Sequence, residues 1–351
     1  MSMQVSYKKQ VLFGILLCLM VIFIIEGILR SYDYFYPACS FFDSEVFAEF
    51  SNDLKHKICF DNSKLVWNDN PLRLIPNQNL EITNINNDGF RGNEIGKDPD
   101  YRIFLVGGST MFGVGSSSDE TTIPGYLEKQ FSNEQNKIEI INAGIPKAYS
   151  ISEIEYIENK LIQYNPNLII IYDGWNDLTK NFQEFYTSEE SSTNDIVRII
   201  NRGDYQTPKI ILQHYFNWKN DNTSINFDST NIEEKSSLWI KSWTNTCEKL
   251  NEKNIKVIVI LQPILGTGNK ILSSEEEKYF SIYDSQNASK YYEIYAEKLQ
   301  LLENSCYKTL DYRDAFDNYK NTIYFDSGHV GDLGNKIIGD RIYEDISDII
   351  N

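Results

Sequence analysis

The sequence predicts an α/β fold: a mostly parallel five-stranded sheet, with helices on both faces, behind one membrane-spanning helix. Three features predict it. From residue 100 onward, short apolar runs alternate with amphipathic helical stretches. Glycines or prolines punctuate many of the junctions. Residues 11–29 form a separate apolar run broken only by Glu26.

Alternating strands and helices bury both faces of a parallel sheet. Right-handed crossovers then collect every strand-to-helix loop on one edge, where open sheets of this type hold their ligands. The 351 residues, 41% of them apolar and 13% aromatic, suffice for a packed core. A net charge of -17 argues against a nucleic-acid partner, which would require a basic face.

At the N-terminus, a short tail (1–9) precedes an expected membrane anchor (10–30). Its nineteen-residue apolar run spans roughly 28 Å as a helix, about one hydrocarbon core. Lys8 and Lys9 stand before the run, and Arg30, Asp33, Asp43 and Glu45 follow it. This bias predicts the N-terminus inside and the remainder outside, with the bilayer as partner for residues 10–30. No small-residue cleavage site follows, so an uncleaved anchor is expected rather than a signal peptide. Cys18 lies in the run. Cys39, Cys59, Cys247 and Cys306 are an even set that fits two disulfides, expected as Cys39–Cys59 and Cys247–Cys306, in an oxidising compartment.

Residues 31–99 are mixed aromatic and polar with no clear period. They read as a juxtamembrane extension packing on the main domain and ending in the turn Asp88-Gly89-Phe90-Arg91-Gly92. The main domain, 100–351, begins with a strand at 103–106 closed by two glycines. A helix at 122–131 and a strand at 138–141 follow. Ser152 and Glu155 have capping-box spacing for the next helix, whose apolar face would be Ile151, Ile154, Ile157 and Leu161. Pro166 stops it, and 168–172 is a third strand.

Residues 179–232, rich in Asn, Tyr and charge, read as an insertion whose Phe185, Tyr186, Tyr215 and Trp218 could line a sugar platform. A helix carrying Trp239, Trp243, Cys247 and Leu250 leads to strand 255–261. Residues 274–305 are largely helical, with Tyr291, Ile294, Tyr295, Leu299 and Leu302 inward. A strand at 307–312 and a helix at 332–350, using Leu333, Ile337, Ile342 and Ile346, close the chain.

Four segments supply acyl-transfer chemistry in order: Gly107-Gly108-Ser109-Thr110, Asn142-Ala143-Gly144, Gly174-Trp175-Asn176-Asp177 and Asp326-Ser327-Gly328-His329. A serine needs a base to become a nucleophile, and near neutral pH that base is a histidine. His56 stands between lysines and His214 lies in the insertion. His329 stands before the last helix, with Asp326 three residues earlier to fix its tautomer. Gly144 offers a backbone N–H, Asn176 a carboxamide and Ser109 its own N–H to a developing oxyanion. The candidate catalytic residues are therefore Ser109, Asp326 and His329, and the oxyanion donors Ser109, Gly144 and Asn176.

This set resembles the SGNH (GDSL-like) hydrolases, whose Ser, Gly, Asn and His match Ser109, Gly144, Asn176 and His329. The resemblance covers about residues 100–348. It implies a three-layer flavodoxin-like fold and metal-free ester hydrolysis through an acyl-serine. The first block departs from the family's usual Gly-Asp-Ser-Leu, reading Gly-Gly-Ser-Thr, which bears on substrate class. Neither cofactor nor metal is expected. Gly113-Val114-Gly115 lacks the rest of a dinucleotide loop, and the three histidines lie well apart. The expected activity is that of a membrane-anchored, extracytoplasmic serine esterase acting on a small-molecule or glycan ester, such as an O-acylated envelope component. The alternatives are an O-acyltransferase to a sugar hydroxyl and an inactive glycan-binding module.

Overall fold

The computed structural model describes residues 6–35, 39, 43–132, 136–180, 208, 231–284 and 287–350. The insertion's aromatics and His214 lie outside them. The chain divides into two units: Met1–Ser40 with Glu189–Ser224, and Phe41–Ser188 with Ile225–Asn351.

In the first unit, helix α1 (Tyr7–Phe35) contains no proline and is built from Leu, Ile, Val, Phe and Met over most of its length. Its segment Tyr7–Tyr32 has a mean hydropathy of 2.9 and is long and apolar enough to cross a bilayer. Its apolar side chains, Phe13 and Phe23 among them, point outward. Glu26 pairs with Arg30 one turn later at 3.0 Å.

The second unit is built on β5 (Tyr101–Gly107), β6 (Ile138–Asn142), β7 (Leu168–Asp173), β8 (Lys256–Leu261) and β9 (Lys308–Asp311). All neighbouring pairs are parallel, in the order β6-β5-β7-β8-β9. The sheet thus runs 2-1-3-4-5, the flavodoxin-like arrangement. The strand order reverses between β5 and β7, which opens a crevice beyond their C-terminal ends.

The two-residue period of a strand divides each apolar run between two cores. Phe104, Val106, Ile169, Ile171, Val257 and Val259 face one core. There they meet α5 (Ser150–Asn159), α7 (Ile232–Asn251) and α9 (Ala288–Leu299) through Tyr156, Trp239, Trp243, Tyr292 and Tyr295. Ile103, Leu105, Leu168, Ile170, Ile258 and Ile260 face the other. They meet α4 (Ile123–Phe131) and α10 (Asp332–Ile350) through Ile123, Leu127, Ile338, Ile342 and Ile346. The expected three layers are present. A disulfide joins Cys247 to Cys306, and Cys39 and Cys59 are also disulfide-bonded.

Several helices differ in detail from the sequence reading. The capping box at Ser152 and Glu155 is displaced: α5 starts at Ser150, and Ser152 Oγ instead accepts from the Tyr149 N–H at 3.0 Å. The inward face shifts with it, so Glu153 and Tyr156 are buried while Ile151 is 39% exposed. The stretch 274–305 is broken into α8 (Ser274–Tyr283) and α9, and Tyr292 rather than Tyr291 is fully buried. In α10, Leu333 is 45% exposed, because Gly334 packs on Val330 and Ile323 and sets the register of the helix.

Residues 43–99, which show no clear period, hold helix α2 (Asn52–Lys64) and two hairpins, β1–β2 (Trp67–Asp69, Leu72–Leu74) and β3–β4 (Gln78–Asn79, Asn84–Ile85). Ser51 caps α2, its Oγ accepting from the Leu54 N–H. Buried Asp61 ties α2 to the second hairpin through the Glu81 and Ile82 N–H groups, at 3.0 and 2.8 Å. The Arg91 N–H donates to the Asn142 carbonyl at 3.2 Å, so the segment closes against edge strand β6.

Candidate active site

The site lies in the crevice beyond β5 and β7. Two glycines end β5, and helix α3 (Ser109–Phe112) starts at once, capped by Gly108 and ended by the left-handed Gly113. A methyl group on Gly108 would stand 2.4 Å from Asn176 Nδ2 and 3.3 Å from the Ala148 carbonyl. Glycine there lets the Asn176 amide approach the turn that carries Ser109.

Ser109 stands at the first position of α3, where a helix N–H has no intrahelical partner. Among the described residues its N–H is uncommitted. Its hydroxyl lies 2.6 Å from His329 Nε2, and His329 Nδ1 lies 2.6 Å from Asp326 Oδ2. With the Nδ1 proton donated to the carboxylate, Nε2 is left to accept the serine proton. The other Asp326 oxygen accepts from the Gly328 and His329 N–H groups at 2.9 and 2.8 Å. One carboxylate thereby shapes the loop and orients the ring, which also stacks on Phe325.

The side chains of His329 and Asp326 are 23% and 26% exposed. Burial alone would lower the His329 pKa, but the charge of Asp326 and its hydrogen bond outweigh it and raise His329 above the usual imidazole value. Burial would likewise raise Asp326; the His329 interaction and the two backbone donors overcome this and hold it below the usual carboxylate range.

Asn176 stands in α6 (Trp175–Thr179), directly after β7. Its Nδ2 donates one hydrogen to the Ala148 carbonyl at 2.6 Å, leaving the second free to serve the site. Asp177, the next residue, accepts from the N–H and the hydroxyl of Ser150, which opens α5. Burial, and then the charge of Asp173, push the Asp177 carboxyl well above its usual range. Asp173 in turn accepts from Trp239 Nε1 at 2.9 Å. The Ser150 bonds lock the segment bearing Asn176 to the loop after β6, and the Trp239 bond ties the end of β7 to α7.

The structure brings Ser109, Asp326, His329 and Asn176 together. For Gly144, expected as an oxyanion donor, it shows a different contact. The Gly144 N–H is engaged at 3.0 Å by Asn142 Oδ1, while Asn142 Nδ2 donates to the Phe112 carbonyl at 3.1 Å. A methyl group on Gly144 would fall 2.2 Å from the Phe112 nitrogen. Gly144 is glycine because β6 and α3 touch here, and Asn142-Ala143-Gly144 acts as a bracket between them. His56 is on α2 and has no part in the Ser109–His329–Asp326 chain.

Sequence reasoning also missed Arg91. Its buried guanidinium donates to the Phe112 and Gly113 carbonyls at 3.1 and 2.9 Å and pairs with Asp119 at 2.7 Å. It satisfies the C-terminal carbonyls of the short helix that starts with Ser109. The only sequence signal was an arginine in the Gly-Phe-Arg-Gly turn. Among the described residues, no group of three or more His, Cys, Asp or Glu is arranged to hold a metal.

No protein-family model matches the sequence, and no curated protein matches it. Solved structures similar to it include the acetyl xylan esterase AlAXEase, 16% identical, covering 70% of this chain and 99% of that one, with a TM-score of 0.41. A mutant of Axe2, an acetylxylan esterase from Geobacillus stearothermophilus, is 12% identical over 71% of this chain and 94% of its own, with a TM-score of 0.42. A lipase/acylhydrolase from Enterococcus faecalis is 13% identical over 71% and 96%, with a TM-score of 0.41.

Proposed function

We propose that this chain is a serine esterase of the SGNH type, tethered to a membrane by residues 10–30. The carrying observation is the chain of contacts Ser109 Oγ–His329 Nε2–Asp326, 2.6 Å at each step, at the switch point of a parallel sheet. His329 takes the hydroxyl proton as Ser109 Oγ attacks the ester carbonyl. The Ser109 N–H and Asn176 Nδ2 hold the oxyanion. The tetrahedral intermediate expels the alcohol, which receives the proton from His329. Water, deprotonated by the same imidazole, then attacks the acyl-serine and releases the acid.

The bilayer partner is supported by the hydropathy of α1, and the extracytoplasmic side by Lys8 and Lys9 before it and the Cys247–Cys306 bond after it. That placement makes an O-acyl group on a glycan or other envelope component the natural substrate. In membranes carrying the full chain, a fluorophosphonate labels Ser109, and Ser109→Ala loses both labelling and p-nitrophenyl ester turnover. Full turnover by Ser109→Ala would refute the mechanism.

A further inference from the structure

With the Gly144 N–H engaged by Asn142, any oxyanion donor from the loop after β6 must be another of its N–H groups. The backbone donors of this loop can be followed one by one. Ala143 donates to the Leu105 carbonyl at 2.9 Å and Ile145 to that of Gly107 at 3.0 Å. Ala148 donates to the Ile145 carbonyl at 3.0 Å. Tyr149 donates to Ser152 Oγ and Ser150 to Asp177 Oδ2, both at 3.0 Å. Pro146 has no N–H. Only the Lys147 N–H is uncommitted among the described residues of this segment.

Lys147 has an unusual backbone. The Ala148-to-Ile145 bond closes a four-residue turn in which proline is second and Lys147, third, has φ of +71°. Proline in second place followed by positive φ is the type II turn, whose third position ordinarily takes glycine. A side chain in the left-handed region costs about 1–2 kcal/mol. Such strain persists where the surroundings over-determine it, often at functional sites. Here the Ile145 N–H on the Gly107 carbonyl fixes one end of the turn, and Asn176 Nδ2 on the Ala148 carbonyl fixes the other. Gly108, the residue before Ser109, stands against that second end, since a methyl on it would be 3.3 Å from the Ala148 carbonyl. The Lys147 side chain leads away: it is exposed, with Nζ 5.3 Å from the Trp67 ring centre.

We propose that the backbone N–H of Lys147, and not that of Gly144, is the third oxyanion donor beside the Ser109 N–H and Asn176 Nδ2. This rests on the acyl-serine reading. The test is the structure of the full chain inactivated by a fluorophosphonate, whose phosphoryl oxygen stands where the oxyanion would. The expected result places that oxygen about 2.7–3.1 Å from the nitrogens of Lys147 and Ser109 and from Asn176 Nδ2. An oxygen bound by Gly144, with Asn142 turned away, overturns the proposal while leaving the esterase intact. So does one bound by Ser109 and Asn176 alone. Failure to label Ser109 removes the esterase reading and this proposal with it.

Discussion

The serine side and the histidine side of the site are held in different ways. Helix α3 has only four residues, yet its far end is bound by Arg91 and Asn142, and Arg91 is neutralised by Asp119. His329 stands on a partly exposed loop, oriented by a single carboxylate three residues away. The contrast suits the chemistry proposed for each. Donors to an oxyanion must already point at the developing charge, because reorganising them during the reaction would forfeit their effect. A base need only hold the correct tautomer within reach of the hydroxyl.

The largest expected effect separates the two sides through activity. Asp326→Asn keeps an oxygen for the Gly328 and His329 N–H groups but presents an amide to Nδ1, reversing the tautomer. Its kcat falls on the order of 10,000-fold, while the thermal midpoint scarcely moves. A fall of less than about tenfold would show that the carboxylate does not set the tautomer. Arg91→Ala should show the opposite balance. It leaves Asp119 without its cation and takes one of the donors from each of two carbonyls at the end of α3, and unfolding should become easier by about 3–5 kcal/mol. Thermal denaturation measures this; an unchanged midpoint would mean that α3 does not depend on the arginine.

Asn142→Ala breaks the bracket between β6 and α3 and orphans the Gly144 N–H, for a loss of about 1–3 kcal/mol in the same measurement. The smallest effect sharpens the comparison through pH. Because the His329 pKa is raised above the usual 6.5, the acid limb of kcat/KM should lie above that pH. Activity requires the neutral ring, so it rises with pH through the folded-state value. The stabilising contribution of protonated His329 has the opposite sign: it is complete below the unfolded-state pKa and is lost as pH rises through the folded one. An acid limb at or below 6.5 would show that Asp326 does not dominate the ring's environment.

Much of this was legible in the sequence because it depends on local pattern. Apolar runs of four to seven residues closed by turn residues can satisfy their backbone only by pairing, and their alternation with helices leaves a parallel sheet as the economical arrangement. Ser109, Asn176 and His329 were readable because each follows a strand or precedes a helix at the edge where such sheets place ligands. Asp326 was readable from its spacing to His329.

What remained hidden depended on long-range contacts. Arg91 acts on Phe112 and Gly113 across the fold, and no local period marks it. The buried face of α5 includes Glu153, a residue that pattern alone assigns to solvent. Gly144 has the composition of an anion-binding turn, but its N–H goes to Asn142 because β6 and α3 meet at that point. The sequence by itself determined the strands of the main sheet, their order and the chemical groups at the sheet edge, since these follow from hydrophobic period and turn chemistry. Which backbone N–H is left unpaired at that edge was decided only by the tertiary structure, because a donor's availability depends on every acceptor within reach of it.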